Sequence, residues 1–269
     1  MNSLKESYKQ FSKLLITLLT IFSVHTSNAT IVQFETNFGN IEVNLYDQNT
    51  PETVANFLQY VDDSTGNSAY ANVIIHRSID NFIIQGGGFA YNGGSSLNDQ
   101  DLPLDNVAAN PAVVNEPIYS NIRGSIAMAK VGGNVNSATN QWFFNLANNA
   151  ANLDIQNGGF TVFGEVTEGG LTILDQIAAV TKYDKGGAFT SLPLNNYDGT
   201  SEPDNSNLIV ITSVQIIDAT VDTAAGLNPT LSTAPAPTPP AQPDSSGGGG
   251  AFVGGLFLVL LLMRSRKRN

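Results

Sequence analysis

Cysteine is absent from this 269-residue chain, and histidine occurs only twice, as His25 and His76. The first absence excludes disulfides, thiolate metal sites, iron–sulfur clusters and cysteine nucleophiles. The second excludes a zinc site built on several histidines, and neither a metal nor a cofactor is expected. Charge is scarce too, at 13% of residues where ordinary domains carry about 25%. Basic charge is scarcer still: 12 Lys and Arg stand against 23 Asp and Glu, a formal net charge of -11. A nucleic-acid binder needs basic surface to displace counterions, so that class is excluded. What remains is an apolar share of 42%, enough for a core and too much for a chain disordered throughout.

Both ends carry addresses. Lys5, Lys9 and Lys13 precede an uncharged apolar stretch from Leu14 to Val24, and Ser27-Asn28-Ala29 supplies the small residues a signal peptidase reads. Residues 1–29 are therefore expected to be a secretory signal peptide, with Thr30 first after cleavage. Ala219 to Ser246 holds six of the 12 prolines, a composition that predicts a semi-stiff linker. Gly247 to Gly250 then lead into an apolar run, Ala251 to Met263, closed by Arg264, Arg266, Lys267 and Arg268. From Gly247 to Met263 a helix would span roughly 25 Å, marginal for a bilayer. A glycine step, a short apolar segment and a basic end resemble the GlyGly-CTERM sorting tails of Gram-negative bacteria. That resemblance implies a rhombosortase-type processing protease as partner; a plain inner-membrane anchor with its basic end in the cytoplasm is the alternative. The expected location is the periplasm or cell envelope. Without its two ends the exported part keeps 5 basic and 22 acidic residues, near -17.

Residues 30–218 read as the folded domain. Ile31 to Glu35 and Ile41 to Leu45 alternate apolar and polar about Asn37-Phe38-Gly39-Asn40, the pattern of a hairpin. Thr50 suits an N-cap and Pro51 a first helical position, and Val54, Phe57, Leu58 and Val61 share one helix face. Short strands are predicted at Val73–Ile75, Phe82–Ile84, Ser125–Met128, Trp142–Leu146, Thr161–Val166 and Leu208–Ile217, with a second helix near Leu171–Val180. Many short strands and two isolated helices predict a mainly β fold, a closed or nearly closed antiparallel barrel capped by helices.

Two segments carry chemistry. One is His76-Arg77-Ser78-Ile79-Asp80-Asn81-Phe82-Ile83-Ile84-Gln85-Gly86-Gly87-Gly88-Phe89. The other runs from Arg123-Gly124-Ser125-Ile126-Ala127-Met128-Ala129-Lys130 through Asn140-Gln141-Trp142-Phe143-Phe144-Asn145 to Phe160-Thr161-Val162-Phe163-Gly164. Their order and spacing resemble the cyclophilins, a family of peptidyl-prolyl cis-trans isomerases, most closely its periplasmic bacterial members, over about Thr30 to Ala219. The resemblance implies an eight-stranded antiparallel barrel with a helix at each end, and peptidylprolyl isomerase activity. It implies Arg77 as the catalytic arginine, with Phe82 and Gln85 beside it. Ile83, Ala129, Lys130, Gln141, Phe143, Leu153 and Phe160 fall where the family binds substrate. Four positions depart from the pattern. Ile83 stands where many members have Met, Lys130 where they have Asn, Asn152 where cyclosporin-sensitive members have Trp, and Phe160 where many have His.

Such chemistry needs no nucleophile. An X-Pro amide rotates over a barrier of roughly 18 to 20 kcal/mol because resonance places the nitrogen lone pair in the C–N bond. Twisting returns that pair to nitrogen, and a guanidinium can then donate to an acceptor the planar amide hardly offers. Taken alone, an arginine at a strand end is more often a surface ion-pair member. His76 reads as structural and hydrogen-bonded near the site, Phe144, Phe163 and Trp142 as core. Gln85-Gly86-Gly87-Gly88 reads as a turn, since no Lys-Ser/Thr follows it as in a phosphate loop. Two functions stay open, an exported monomeric isomerase assisting protein folding and a non-catalytic binder of Pro-containing segments using the same groove.

Overall fold

The computed structural model describes residues 30–61, 68–220, 223–224 and 226–234, and structural statements refer to these. The expected signal peptide at 1–29, most of the proline-rich stretch and the whole 247–269 tail lie outside them.

Strands β1 (Ile31–Thr36) and β2 (Gly39–Leu45) form the expected hairpin, with Phe34 opposite Ile41 and Val32 opposite Val43. Those alternate residues are the buried ones, which is why the period-2 pattern was readable. Helix α1 (Pro51–Leu58) buries Val54 and Phe57, and Phe57 packs at 5.1 Å from Phe163 and 6.0 Å from Phe34. Its start differs from the expectation. The Thr50 hydroxyl donates back to the Tyr46 carbonyl, and the orphan amides of Glu52 and Thr53 donate instead to the Glu116 carboxylate, at 3.3 and 2.9 Å. A carboxylate 63 residues away in sequence thus caps this helix.

The remaining elements are β3 (Val73–Ile74), β4 (Arg77–Ile79), β5 (Ile83–Gly86), β6 (Phe89–Tyr91), β7 (Leu104–Asn106), β8 (Ser125–Met128), β9 (Trp142–Asn145), α2 (Ala150–Leu153), β10 (Val162–Val166), α3 (Glu168–Ala179), β11 (Lys182–Tyr183), β12 (Leu192–Pro193) and β13 (Val210–Asp218). The fold is mainly β with few helices. One curled antiparallel sheet runs β4-β5-β9-β8-β10-β2-β1-β13-β3-β6-β7, and β11 pairs with β12 apart from it. This eleven-strand ladder differs from the eight strands expected, for two reasons. The β6–β7 hairpin adds two strands, and the chain changes partner between β3 and β4. There the Ile75 amide donates to the Ile209 carbonyl and the His76 amide to that of Gln85. The core sits inside the curl, around Phe34, Phe57, Trp142, Phe144 and Phe163.

A second difference concerns the segment after β13, expected as linker from Ala219. Part of it lies on the domain. Ser120 donates its amide to the Thr230 carbonyl at 2.8 Å, Ser232 donates to Ile118 at 2.9 Å, and the Asn44 amide side chain donates to Thr223 at 2.8 Å. Ala224 and Leu227 pack on the apolar cluster of Tyr46, Tyr119 and Val162. Proline content marked a linker, but Pro229 is the only proline between Ala219 and Ala234, and backbone pairing around it is open.

Candidate active site

The strands β5, β9, β8 and β10 are two-faced. Ile84, Phe144 and Ile126 are successive cross-strand partners and point into the core. The residues between them form a second row on the outer face. Arg77 opposes Gln85, Gln85 opposes Phe143, Phe143 opposes Ala127, and Ala127 opposes Val162. Both faces of β8 and β9 are buried. That accounts for the apolar runs Ile126–Met128 and Trp142–Phe144 within them, the pattern of strands covered on both sides.

A polar chain starts the outer row. Arg77 donates from Nη1 to Gln85 Oε1 at 3.3 Å, and Gln85 donates from Nε2 to Gln141 Oε1 at 2.9 Å. Gln141 comes this close because Gly88 has no side chain: a Cβ there would lie 2.7 Å from Gln141 Nε2. Gly87, at φ +86, makes the turn, and a Cβ on it would meet the Asn140 carbonyl at 2.3 Å. Burial lowers the pKa of the half-buried Arg77, which a guanidinium tolerates without losing its charge. Of the four other cations among the described residues, three are engaged elsewhere. Arg123 holds Asp175 through two bonds of 2.8 and 2.9 Å, Lys182 pairs with Asp80, and Lys185 donates to the Tyr197 hydroxyl at 2.6 Å. Among the described residues, Arg77 has no carboxylate partner. Its neighbour His76 is buried, with its pKa pushed down to about 3 by burial first and by the Arg77 charge second. His76 is thus neutral, its ring edge-on to Phe89 at 5.0 Å; the hydrogen bond expected of it is not made by Nδ1, which is buried without a partner among the described residues.

Beside this chain lies an apolar patch. Ile83, Phe143 and Leu153 are buried in one cluster, with Phe82, Ala129 and Phe160 half-buried against it. The Phe143 and Phe160 rings meet edge to face at 5.8 Å. Ala129 is fixed by its amide, which donates to the Gln141 carbonyl at 2.9 Å. Lys130 stands over the Phe160 ring at 4.9 Å from its centroid, and burial pushes its pKa down to about 8. All ten residues read from the sequence therefore fall in one patch.

Two supporting residues escaped the sequence reading. Asp154, just after α2, accepts from the Ser120 hydroxyl, from the Asn121 amide at 2.8 Å and from the Asn121 side chain at 2.9 Å, which fixes the turn carrying Leu153. Asn149 donates to the Phe82 carbonyl at 2.9 Å and to Asn145 Oδ1 at 2.8 Å. The asparagine-rich run from Asn145 to Asn152 was the available signal. A cavity of about 480 Å³ lies elsewhere, lined by Phe38, Val180, Tyr183, Leu194 and Tyr197 among others. None of the ten site residues lines it, and size alone does not make chemistry.

A half-buried guanidinium with no carboxylate partner among the described residues, at the edge of an apolar patch, can polarise a bound amide. Comparison with known proteins agrees with that chemistry. The model of the family "Cyclophilin type peptidyl-prolyl cis-trans isomerase/CLD" matches residues 31–197. A peptidyl-prolyl cis-trans isomerase of Acinetobacter baylyi is 39% identical over 161 residues, covering 60% of this chain and 78% of that protein. Peptidyl-prolyl cis-trans isomerase A of Dickeya dadantii is 36% identical over 206 residues, covering 74% and 92%. Peptidyl-prolyl cis-trans isomerase B of Escherichia coli is 36% identical over 154 residues, covering 56% and 85%. The crystal structure of a Cryptosporidium parvum cyclophilin is similar with a TM-score of 0.49 and 22% identity, covering 71% of this chain and 98% of that one. With its family model matched from β1 to beyond β12, this chain belongs to the cyclophilin-type peptidyl-prolyl cis-trans isomerases.

Proposed function

We propose that the chain accelerates rotation about X-Pro bonds, with Arg77 as the catalytic residue and Phe82 and Gln85 holding it against the substrate. The observation carrying this reading is the Arg77 guanidinium, half-buried, without a carboxylate partner among the described residues and hydrogen-bonded to Gln85. The proline ring rests on Phe143 between Ile83, Leu153 and Phe160, while Ala129 and Gln141 meet the substrate backbone. As the amide twists, its nitrogen lone pair localises and the guanidinium donates to it. That contact is absent from the planar ground state, so it lowers the barrier selectively. Apolar walls exclude water and strengthen the donor's field. A protease-coupled assay on a short Ala-Pro peptide tests the reading: turnover supports an isomerase, and binding without turnover supports the non-catalytic binder.

The same proposal covers what surrounds the domain. The substrates are Pro-containing segments of exported proteins, whose folding the enzyme assists, and the enzyme acts as a monomer. The sequence of residues 1–29 supports export to the periplasm. The sequence of residues 247–269 supports a sorting tail of the GlyGly-CTERM kind, anchored first and then cut near Gly247 to Ala251 by a rhombosortase-type protease. Intact-mass measurement on protein from its native host decides this. A mass that includes Met263 to Asn269 rejects processing and leaves a membrane anchor. The closed eight-stranded barrel is likewise a proposal, supported by the partner change at Ile75 and His76, which lets 73–79 act as one strand bridging β13 and β5. Weak cyclosporin binding follows from Asn152 and Phe160.

A further inference from the structure

Lys130 sits where the family pattern has an asparagine, yet its donors point at its own chain. Nζ donates to the Asn157 carbonyl at 2.8 Å and to the Gly159 carbonyl at 2.5 Å, while the ammonium lies 4.9 Å over the Phe160 ring. The two carbonyls converge because three successive residues have positive φ: Asn157 at φ 50, Gly158 at φ 75 and Gly159 at φ 76. The turn has little freedom to rearrange about them. A Cβ on Gly159 would lie 2.8 Å from the Asp154 carbonyl and 2.9 Å from Pro117, and Asn115 donates to the Gly158 and Gly159 carbonyls at 2.9 Å each. Phe160 follows directly, its amide bonded to the Leu153 carbonyl at 2.9 Å and its ring edge-on to Phe143. An asparagine at 130, with its much shorter side chain, has no equivalent of this reach.

We propose that Lys130 is a positioning residue of the proline pocket: its ammonium clasps the Asn157–Gly159 turn and thereby holds the Phe160 ring as the pocket's outer wall. The inference rests on the groove reading above and deepens it. The position sets how tightly a Pro-containing segment is held and leaves rotation to Arg77. The cation is a switchable part of the clasp, because burial alone brings its pKa down to about 8. The titratable groups on the elements packed around it are occupied with other partners: Asp154 with Ser120 and Asn121, and Glu116 with Thr53. Deprotonation removes the cation–π attraction and weakens both charge-assisted bonds.

The test compares wild type, Lys130→Met and Lys130→Arg on a short Ala-Pro peptide between pH 6.5 and 9.5, with backbone amide NMR of residues 157–160. For Lys130→Met, KM rises about three- to tenfold with kcat within about twofold, the size of one ordinary hydrogen bond, because the lost contacts reach the substrate only through the Phe160 ring. The amides of 157–160 shift with it. In the wild type KM rises as pH passes 8; in Lys130→Arg, charged throughout, KM stays near the neutral-pH value and flat. An unchanged KM in Lys130→Met, or a fall confined to kcat, overturns the proposal. Should Lys130→Met fail to fold, the wild-type and Lys130→Arg pH profiles decide, and identical profiles overturn it. Should the wild type bind peptide without turning it over, the isomerase reading fails, and the same comparison on dissociation constants from NMR titration still tests the clasp.

Discussion

Arg77 and Gln85 face each other across the β4–β5 pair, and the guanidinium donates to the glutamine side-chain oxygen at 3.3 Å while the same glutamine donates onward to Gln141 at 2.9 Å. The glutamine is thus both the acceptor that aims the arginine and a link to the strand beneath the proline pocket. Gln85→Ala should lower kcat/KM by about tenfold or more, since a donor misaimed by 1 Å forfeits much of its effect. Thermal unfolding should hardly move, because Gln85 is half-buried and leaves its partners near solvent. A variant with full activity would remove Gln85 from the account.

Phe143 joins the pocket to the fold. Its side chain is 2% exposed, in contact with the cluster of Ile83, Leu153 and Val162. Phe143→Ala should therefore reduce peptide turnover and also cost about 3 to 5 kcal/mol in chemical denaturation, the range for emptying a buried phenylalanine site. Loss of activity at undiminished stability would mean the ring is not packed as described.

His76 gives the domain an acid limb. Its folded pKa of about 3 lies below the unfolded value of 6.5, so the unfolded chain binds the extra proton first. Stability is fully present above pH 6.5 and is lost as pH falls toward 3, on the order of 4 kcal/mol at the lower limit. Melting curves across that window should show the decline, and His76→Leu, which cannot take up a proton, should flatten it. An equally steep decline in the variant would assign the acid limb to other groups.

The segment after β13 adds stability. A chain ending at Asp218 loses the Ser120–Thr230 and Ser232–Ile118 backbone bonds and uncovers the apolar cluster that Ala224 and Leu227 cover. Compared with a chain ending at Ala234, it should be less stable by about 2 to 4 kcal/mol in denaturant. Identical unfolding midpoints would show that this contact contributes nothing.

Much of this was legible in the sequence. The strand Ser125–Met128 and the alternation in β1 and β2 follow from local pattern, and nine of the ten candidate site residues stood in two motifs, Leu153 lying outside both. The pairs β6–β7 and β11–β12 were not legible, being two or three residues long and partly polar. Nor was β4, whose three residues are held by a partner strand and carry no pattern of their own. The Glu116 cap on α1 and the docked segment after β13 depend on contacts between distant residues, which no local rule reports. Lys130 shows the limit most clearly. Its place in the motif was plain, but its partners are carbonyls aimed by the left-handed turn at Asn157, and only the folded backbone reveals that.

The central claim is that one guanidinium performs the chemistry. Arg77→Ala, measured by protease-coupled isomerisation of a short X-Pro peptide with circular dichroism to verify the fold, tests it most directly. The account predicts that kcat/KM falls by about 100-fold or more, in line with losing a donor that acts only in the transition state, while the melting temperature changes little. Undiminished turnover in the folded variant would contradict it.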